Sequence, residues 1–151
     1  MPKAYEVQGL ADKAFDAYQR CYALDPLNAD LIFHYALACE RRGDAARARQ
    51  LYESGAKIAP EYADMTAGLA RLALRSGDTA AAARAAGQAI KASPDNPDAL
   101  LLAAQAALRQ GRTREARAHL TKALALADAY ADLHVVMALV EERDGHREAA
   151  L

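Results

Sequence analysis

Gly9, Gly43, Gly77, Gly111 and Gly145 recur at an interval of 34 residues, a register that takes up five of the chain's eight glycines. Alanine keeps the same interval at Ala14, Ala48, Ala82, Ala116 and Ala150, and again at Ala36, Ala70, Ala104 and Ala138. Proline joins at Pro26, Pro60 and Pro94, with Asp128 in the fourth place. A fixed period of this length marks a repeated unit that cannot bury a hydrophobic face alone and does so by stacking on its neighbours. The chain is therefore expected to be an array.

Within each unit, apolar residues at helical spacing stop at the glycine, resume at once, and stop again before the proline, which reads as two helices. The pairs fall at about Ala29–Arg42 with Ala45–Ala59, Ala63–Ser76 with Thr79–Ala92, and Pro97–Gln110 with Thr113–Ala127. A leading half, Ala131–Asp144, follows them, and a trailing helix, Leu10–Leu24, precedes them with Ala4–Gln8 as the tail of a further helix. Glycine suits the tight reversal because a left-handed backbone costs least without a Cβ, and proline cannot continue a helix. Asp30, Asp64, Asp98 and Asp132 sit in the first turn of each leading helix, where a carboxylate meets the positive end of the dipole. With 40 alanines in 151 residues the chain is a strong helix former. One domain is expected over residues 1–151: a half unit 1–28, repeats 29–62, 63–96 and 97–130, and a partial repeat 131–151. The ragged ends read as a stretch cut from a longer array.

Charge and composition exclude several classes of function. The 19 basic and 20 acidic residues leave no field for holding a polyanion, so nucleic acid is not the expected partner. No apolar run approaches the ~18 residues of a membrane span, and the first residues lack a signal peptide's apolar core. A cytoplasmic chain is expected, or a periplasmic one if it was cut from an envelope protein. No phosphate loop, His-Glu-x-x-His or Gly-x-Ser-x-Gly motif occurs, and His34, His119, His134 and His146 fall at different places in the repeat. No enzyme activity, metal or cofactor is expected. Cys21 and Cys39 occupy core positions of adjacent helices, but the register leaves them too far apart to bridge, so both are expected as free thiols in the core.

Leading and following helices differ in character. Following helices carry one polar face, as with Arg47, Gln50, Glu53 and Lys57, whereas leading helices such as Leu31–Cys39 are apolar nearly all round. A helix apolar on every side needs two burial surfaces.

These features, with Tyr35-Ala36, Gly43-Asp44, Ala48, Tyr52 and Pro60 in one unit and their counterparts in the next two, resemble the tetratricopeptide repeat. The family's first-helix tryptophan is replaced by Ile32, Thr66, Leu100 and His134, and the large aromatic seen at Tyr18 and Tyr52 becomes Ala86 and Leu120. The resemblance implies an all-α, right-handed superhelix, an α-solenoid, with a concave groove for a segment of another protein. By resemblance the groove residues are Phe33, His34, Leu37 and Arg41, then Ala67, Gly68, Arg71, Leu74 and Arg75. Leu101, Leu102, Gln105, Leu108, Arg109, Val135, Val136, Leu139 and Arg143 complete the set. This is an apolar floor with an arginine edge, suited to an apolar or amphipathic segment. Arg41, Arg75, Arg109 and Arg143 keep the 34-residue interval near the carboxyl ends of leading helices, where a cation also offsets the dipole. Positions that grip acidic chaperone tails in one branch of the family are here Phe33, Leu37, Gly68, Asp98 and Leu102, a set that supplies no carboxylate clamp.

The expected function is a non-enzymatic scaffold for protein–protein interaction, including an envelope or secretion assembly module. The alternative is a regulatory or substrate-presenting region of a larger enzyme, such as a glycosyltransferase or hydroxylase. Weak head-to-tail self-association is a third reading. The alanine and arginine excess points to a bacterial genome.

Overall fold

The computed structural model describes residues 2–127 and 130–150, with side chains over 8–127 and 130–146. Eight α-helices and no strand occur among the described residues: α1 (Pro2–Leu24), α2 (Ala29–Arg41), α3 (Ala45–Ile58), α4 (Ala63–Ser76), α5 (Thr79–Ala92), α6 (Pro97–Arg109), α7 (Thr113–Leu126) and α8 (Ala131–Ala150). Bounds of α2 to α7 agree with the periodicity to within a residue. Asp128 lies outside the described residues. The chain divides into two compact units, Met1–Pro60 with α1 to α3 and Glu61–Leu151 with α4 to α8.

Helix starts are fixed by side chains that accept from first-turn amides. Asn28, Asp44, Asp78 and Asn96 cap α2, α3, α5 and α6 in this way, each worth about 0.5–2 kcal/mol. Reversals within a pair sit on Gly43, Gly77 and Gly111, whose φ values of 83°, 84° and 77° fall where a Cβ is disfavoured.

Gly9 and Gly145 keep the same register but do not turn. α1 runs unbroken from Pro2, where a helix start at Leu10 was expected, and α8 continues beyond Asp144 to Ala150. The physical reason is that a mid-helix glycine costs only about 1 kcal/mol and does not itself end a helix. What favours the reversal at the other three sites is the return helix packing on its mate: α3 on α2, α5 on α4, α7 on α6. Gly111 shows which contribution dominates, since α7 has no side-chain cap at Arg112 and the turn still forms.

The two units have different interiors. In the first, α1 meets α2 through aromatic edges: Phe15 lies 5.7 Å from Tyr35 in a T-shaped pair, Tyr22 lies 5.6 Å from Tyr35, and Tyr18 stacks on His34. Tyr52 is fully buried and its hydroxyl donates to the buried Glu40 carboxylate at 2.9 Å. In the second, the core is largely alanine, with Ala70, Ala82, Ala86, Ala89, Ala99, Ala104, Ala116 and Ala123 fully buried. Small side chains let helices approach closely, while Met65, Leu100, Leu120, Leu133 and Val140 supply the large buried volumes.

Both cysteines are free. Cys39 is in the core, and burial, helped by the nearby Asp44 carboxylate, pushes its thiol above the usual range. Cys21 departs from expectation because it is exposed. α1 covers only the side it turns to α2, so the stripe carrying Ala14, Ala17 and Cys21 faces out.

Candidate functional site

In the second unit the leading helices lie side by side, α4 on α6 and α6 on α8. Their amino ends are joined where Asn96, the cap of α6, donates through Nδ2 to Asp64 of α4 at 3.3 Å while its Oδ1 accepts from the Asp98 and Ala99 amides. Their carboxyl ends are joined by arginine. Arg109 Nη1 donates to the Leu74 carbonyl at 2.6 Å, and Arg143 Nη1 donates to the Leu108 carbonyl one repeat further on. The Leu74 and Leu108 carbonyls already accept from the Gly77 and Gly111 amides of the turn, so each guanidinium is a second donor, and there it also meets the negative end of the dipole.

Three helices held in this register line a concave cavity of about 680 Å3. α4 contributes Arg71, Leu74 and Arg75, α6 contributes Asp98, Leu101, Leu102, Gln105, Leu108 and Arg109, and α8 contributes Asp132, Val136, Leu139 and Arg143. Leu74, Leu102, Leu108 and Val136 are nearly covered by their neighbours, so the accessible apolar surface is mainly Leu101 and the 48% exposed Leu139. Four arginines against two aspartates leave a surplus of positive charge. The charges are ordered along the helices: Asp98 and Asp132 lie in first turns, and Arg75 and Arg109 in last turns.

The structure thus brings together Arg71, Leu74, Arg75, Leu101, Leu102, Gln105, Leu108, Arg109, Val136, Leu139 and Arg143 of the residues singled out from the sequence. Val135 is not among the lining residues and is 58% exposed, one helical step round from Val136. Ala67 and Gly68 are buried in α4 and offer little surface. Phe33, His34, Leu37 and Arg41 belong to α2 in the first unit. There Phe33 packs against His34 and Tyr52, Leu37 is half-buried, and His34 and Arg41 are exposed. From the sequence Asp132 is marked only as a helix-start residue, and Asp98 as that and as one of the positions matching the family's carboxylate clamp. Their regular place in the repeat was the available signal that they share a face with the arginines. Among the described residues no group of histidine, cysteine or carboxylate side chains is placed to hold a metal ion, and no helix is long and apolar enough to cross a membrane.

Helix pairs repeated on one register, with the leading helices α4, α6 and α8 of the second unit side by side, define a helical-repeat protein. A family model for the tetratricopeptide repeat matches residues 3–63 and 68–133. The chain belongs to the tetratricopeptide-repeat family, whose members generally mediate protein–protein interaction and are generally not enzymes.

Among solved structures the fold is shared with the MamA protein, at a TM-score of 0.78 and 18% identity, over 98% of this chain and 81% of that one. It is shared too with TTC0263, a thermophilic repeat protein of Thermus thermophilus, at 0.72 and 23% over 91% and 76%. The first repeat domain of Spaghetti (RPAP3), bound to an HSP90 peptide, matches at 0.72 and 15% over 76% and 90%. No curated protein matches by sequence.

Proposed function

We propose that the chain is a non-enzymatic scaffold that binds an apolar or amphipathic segment of another protein along the α4–α6–α8 face. The cavity of about 680 Å3 carries this reading, because it pairs an apolar floor with charged side chains at both ends of the same helices. Concave, mostly apolar sites with a few placed polar groups are the usual form of a binding surface. The order of charges gives the bound segment a direction: its acidic end lies toward Arg75 and Arg109, its basic end toward Asp98 and Asp132. The peptide partner of the RPAP3 domain is not carried over to this chain, since Asp98 and Leu102 stand where a carboxylate clamp would need cations.

The test uses a helical peptide with leucines at positions i, i+4 and i+7 and an acidic carboxyl end, read by fluorescence anisotropy. Binding should weaken on Leu101→Ala by about 1–2 kcal/mol, with folding retained. Reversing the peptide's charge order should weaken it as well. If Leu101→Glu and the reversed peptide bind as the parent pair does, the face is not the site.

A second reading, weak head-to-tail association of the chain with itself, is favoured by the exposed apolar residues of α1 and α8. Leu10 and Leu24 on α1 are 65% and 86% exposed, and Val135 on α8 is 58% exposed. Contacts between two different faces propagate as open chains and not as closed dimers.

A further inference from the structure

Between α5, α6 and α7 lies a second cavity, of about 210 Å3, which shares no lining residue with the α4–α6–α8 cavity. Its walls are Ala83, Gly87 and Ile90 of α5 with Ala103 and Ala107 of α6. Gln110, Glu115 and His119 form the rim, so the described lining holds a carboxylate and no lysine or arginine. Glu115 lies 3.6 Å from the Arg112 guanidinium and 3.9 Å from His119 Nε2, both beyond hydrogen-bond reach.

The repeat supplies its own comparison. Two periods earlier the same register positions fall in α1, α2 and α3, and there the chain's own rings occupy the space. Phe15 stands at the position of Ala83, Tyr22 at that of Ile90 and Tyr35 at that of Ala103. The Tyr35 ring is 5.7 Å from Phe15 and 5.6 Å from Tyr22. Cations close over these rings. Arg42, at the position of Gln110, has its guanidinium carbon 4.3 Å from the Phe15 centroid. Arg47, at the position of Glu115, lies 5.6 Å from Tyr22 and 5.7 Å from Tyr35. The cavity between α5, α6 and α7 thus lacks the rings and both cations, and carries a carboxylate at one cation's position.

Its size selects the occupant. An apolar cavity of about 150 Å3 takes one benzene ring, so 210 Å3 holds one aromatic side chain. The volume falls below the roughly 300–1,000 Å3 usual for small-molecule sites, which favours a side chain delivered by a protein. A Cβ built on Gly87 meets nothing within 4 Å, so room is kept on α5 where alanine would make the better helix.

We propose that this cavity is a second docking site, for a partner segment that presents phenylalanine or tyrosine with arginine or lysine two residues away. The ring takes the place that Phe15 and Tyr35 fill in the first unit. The cation lies over that ring, as Arg42 and Arg47 do, and within reach of the Glu115 carboxylate. Residues two apart point the same way in an extended segment. The charge preference is therefore opposite to that of the α4–α6–α8 cavity, where arginines are in surplus.

Titrating the isotope-labelled chain with the capped peptide Gly-Ser-Phe-Ser-Arg-Ser-Gly to millimolar concentration tests this by NMR. Ring-current shifts should appear at the methyls of Ala83, Ile90, Ala103 and Ala107, and not at Leu101 or Leu139. Replacing the peptide's phenylalanine by alanine should weaken binding by about tenfold or more, and replacing its arginine by glutamate by about two- to fivefold. Ala83→Phe copies Phe15 at a half-buried position and should abolish the shifts, with helical content by circular dichroism unchanged. Glu115→Arg copies Arg47 at an exposed position and should invert the preference between the arginine and glutamate peptides. Leu101→Glu should bind this peptide as wild type does, so the two sites fail separately. No shift at the four methyls, shifts confined to Leu101 and Leu139, or a leucine-for-phenylalanine peptide binding equally well would each overturn the proposal. Unchanged charge preference in Glu115→Arg would overturn the cation's place. Shifts at the same methyls on concentrating the chain without peptide would put a second copy in the site and overturn the partner.

Discussion

Substituting alanine for glycine at positions one period apart should change stability in opposite directions. Gly111 and Gly145 share a repeat register and both belong to the second unit. A Cβ built on either meets nothing within 4 Å, so packing against neighbours does not distinguish them. Backbone conformation does. Gly111 has φ of 77°, where an alanine pays about 1–2 kcal/mol for the clash of its Cβ with the backbone, set against about 0.4–1 kcal/mol from reduced freedom of the unfolded chain. The net is a destabilisation of about 1 kcal/mol. Gly145 lies inside α8, where alanine is better than glycine by about 0.5–1 kcal/mol. For a chain of 151 residues, 1 kcal/mol moves the midpoint by about 2–4 °C. Scanning calorimetry at a concentration below self-association should therefore show Gly111→Ala melting a few degrees below wild type, and Gly145→Ala at or above it. If both variants lose stability equally, Gly145 is a turn, α8 ends there, and the account of why the reversal fails at that site is wrong.

Four further outcomes are expected. Tyr52→Phe leaves the buried Glu40 carboxylate without its 2.9 Å donor and should cost about 1.5–3 kcal/mol in denaturant unfolding, with no change in helical content before the transition. Ala116→Leu and Ala104→Leu force a larger side chain into fully buried sites and should each cost about 1–3 kcal/mol by overpacking, whereas Gly87→Ala, with open space for its Cβ, should stabilise by about 0.5–1 kcal/mol. Hydrogen exchange should be faster in α5 than in α3, because the buried face of α5 is alanine alone while that of α3 holds Leu51 and Tyr52; slower exchange in α5 would contradict this. The Cys39 thiol is raised by burial, so the folded state keeps its proton where the unfolded chain releases it. Stability from this site is full below the ordinary thiol value of 9.0 and falls as pH rises through it, a slope that Cys39→Ala should abolish in pH-dependent melting.

Much of the architecture is written in residues that act locally. Glycine at 43, 77 and 111, proline at 60 and 94, and the leading-helix aspartates mark starts and stops through backbone sterics and the helix dipole, which need no distant partner. One repeat position predicts the next for the same reason, and Leu74, Leu101, Leu108 and Leu139 line one cavity, whereas Val135 does not and Phe33, His34, Leu37 and Arg41 belong to the first unit. Periodicity could not decide which copies of a position have a mate. Gly9 and Gly145 are identical in register to Gly111, yet a reversal is settled by whether a return helix packs there, a long-range contact absent from the local code. Cys21 was misread in the same way, because a core position is a core only when a second helix covers it. The arginines show the converse: their interval was visible in the sequence, but whether they meet a ligand or a backbone carbonyl depends on where the preceding leading helix ends, and only the packing of α4, α6 and α8 places the Leu74 and Leu108 carbonyls within their reach.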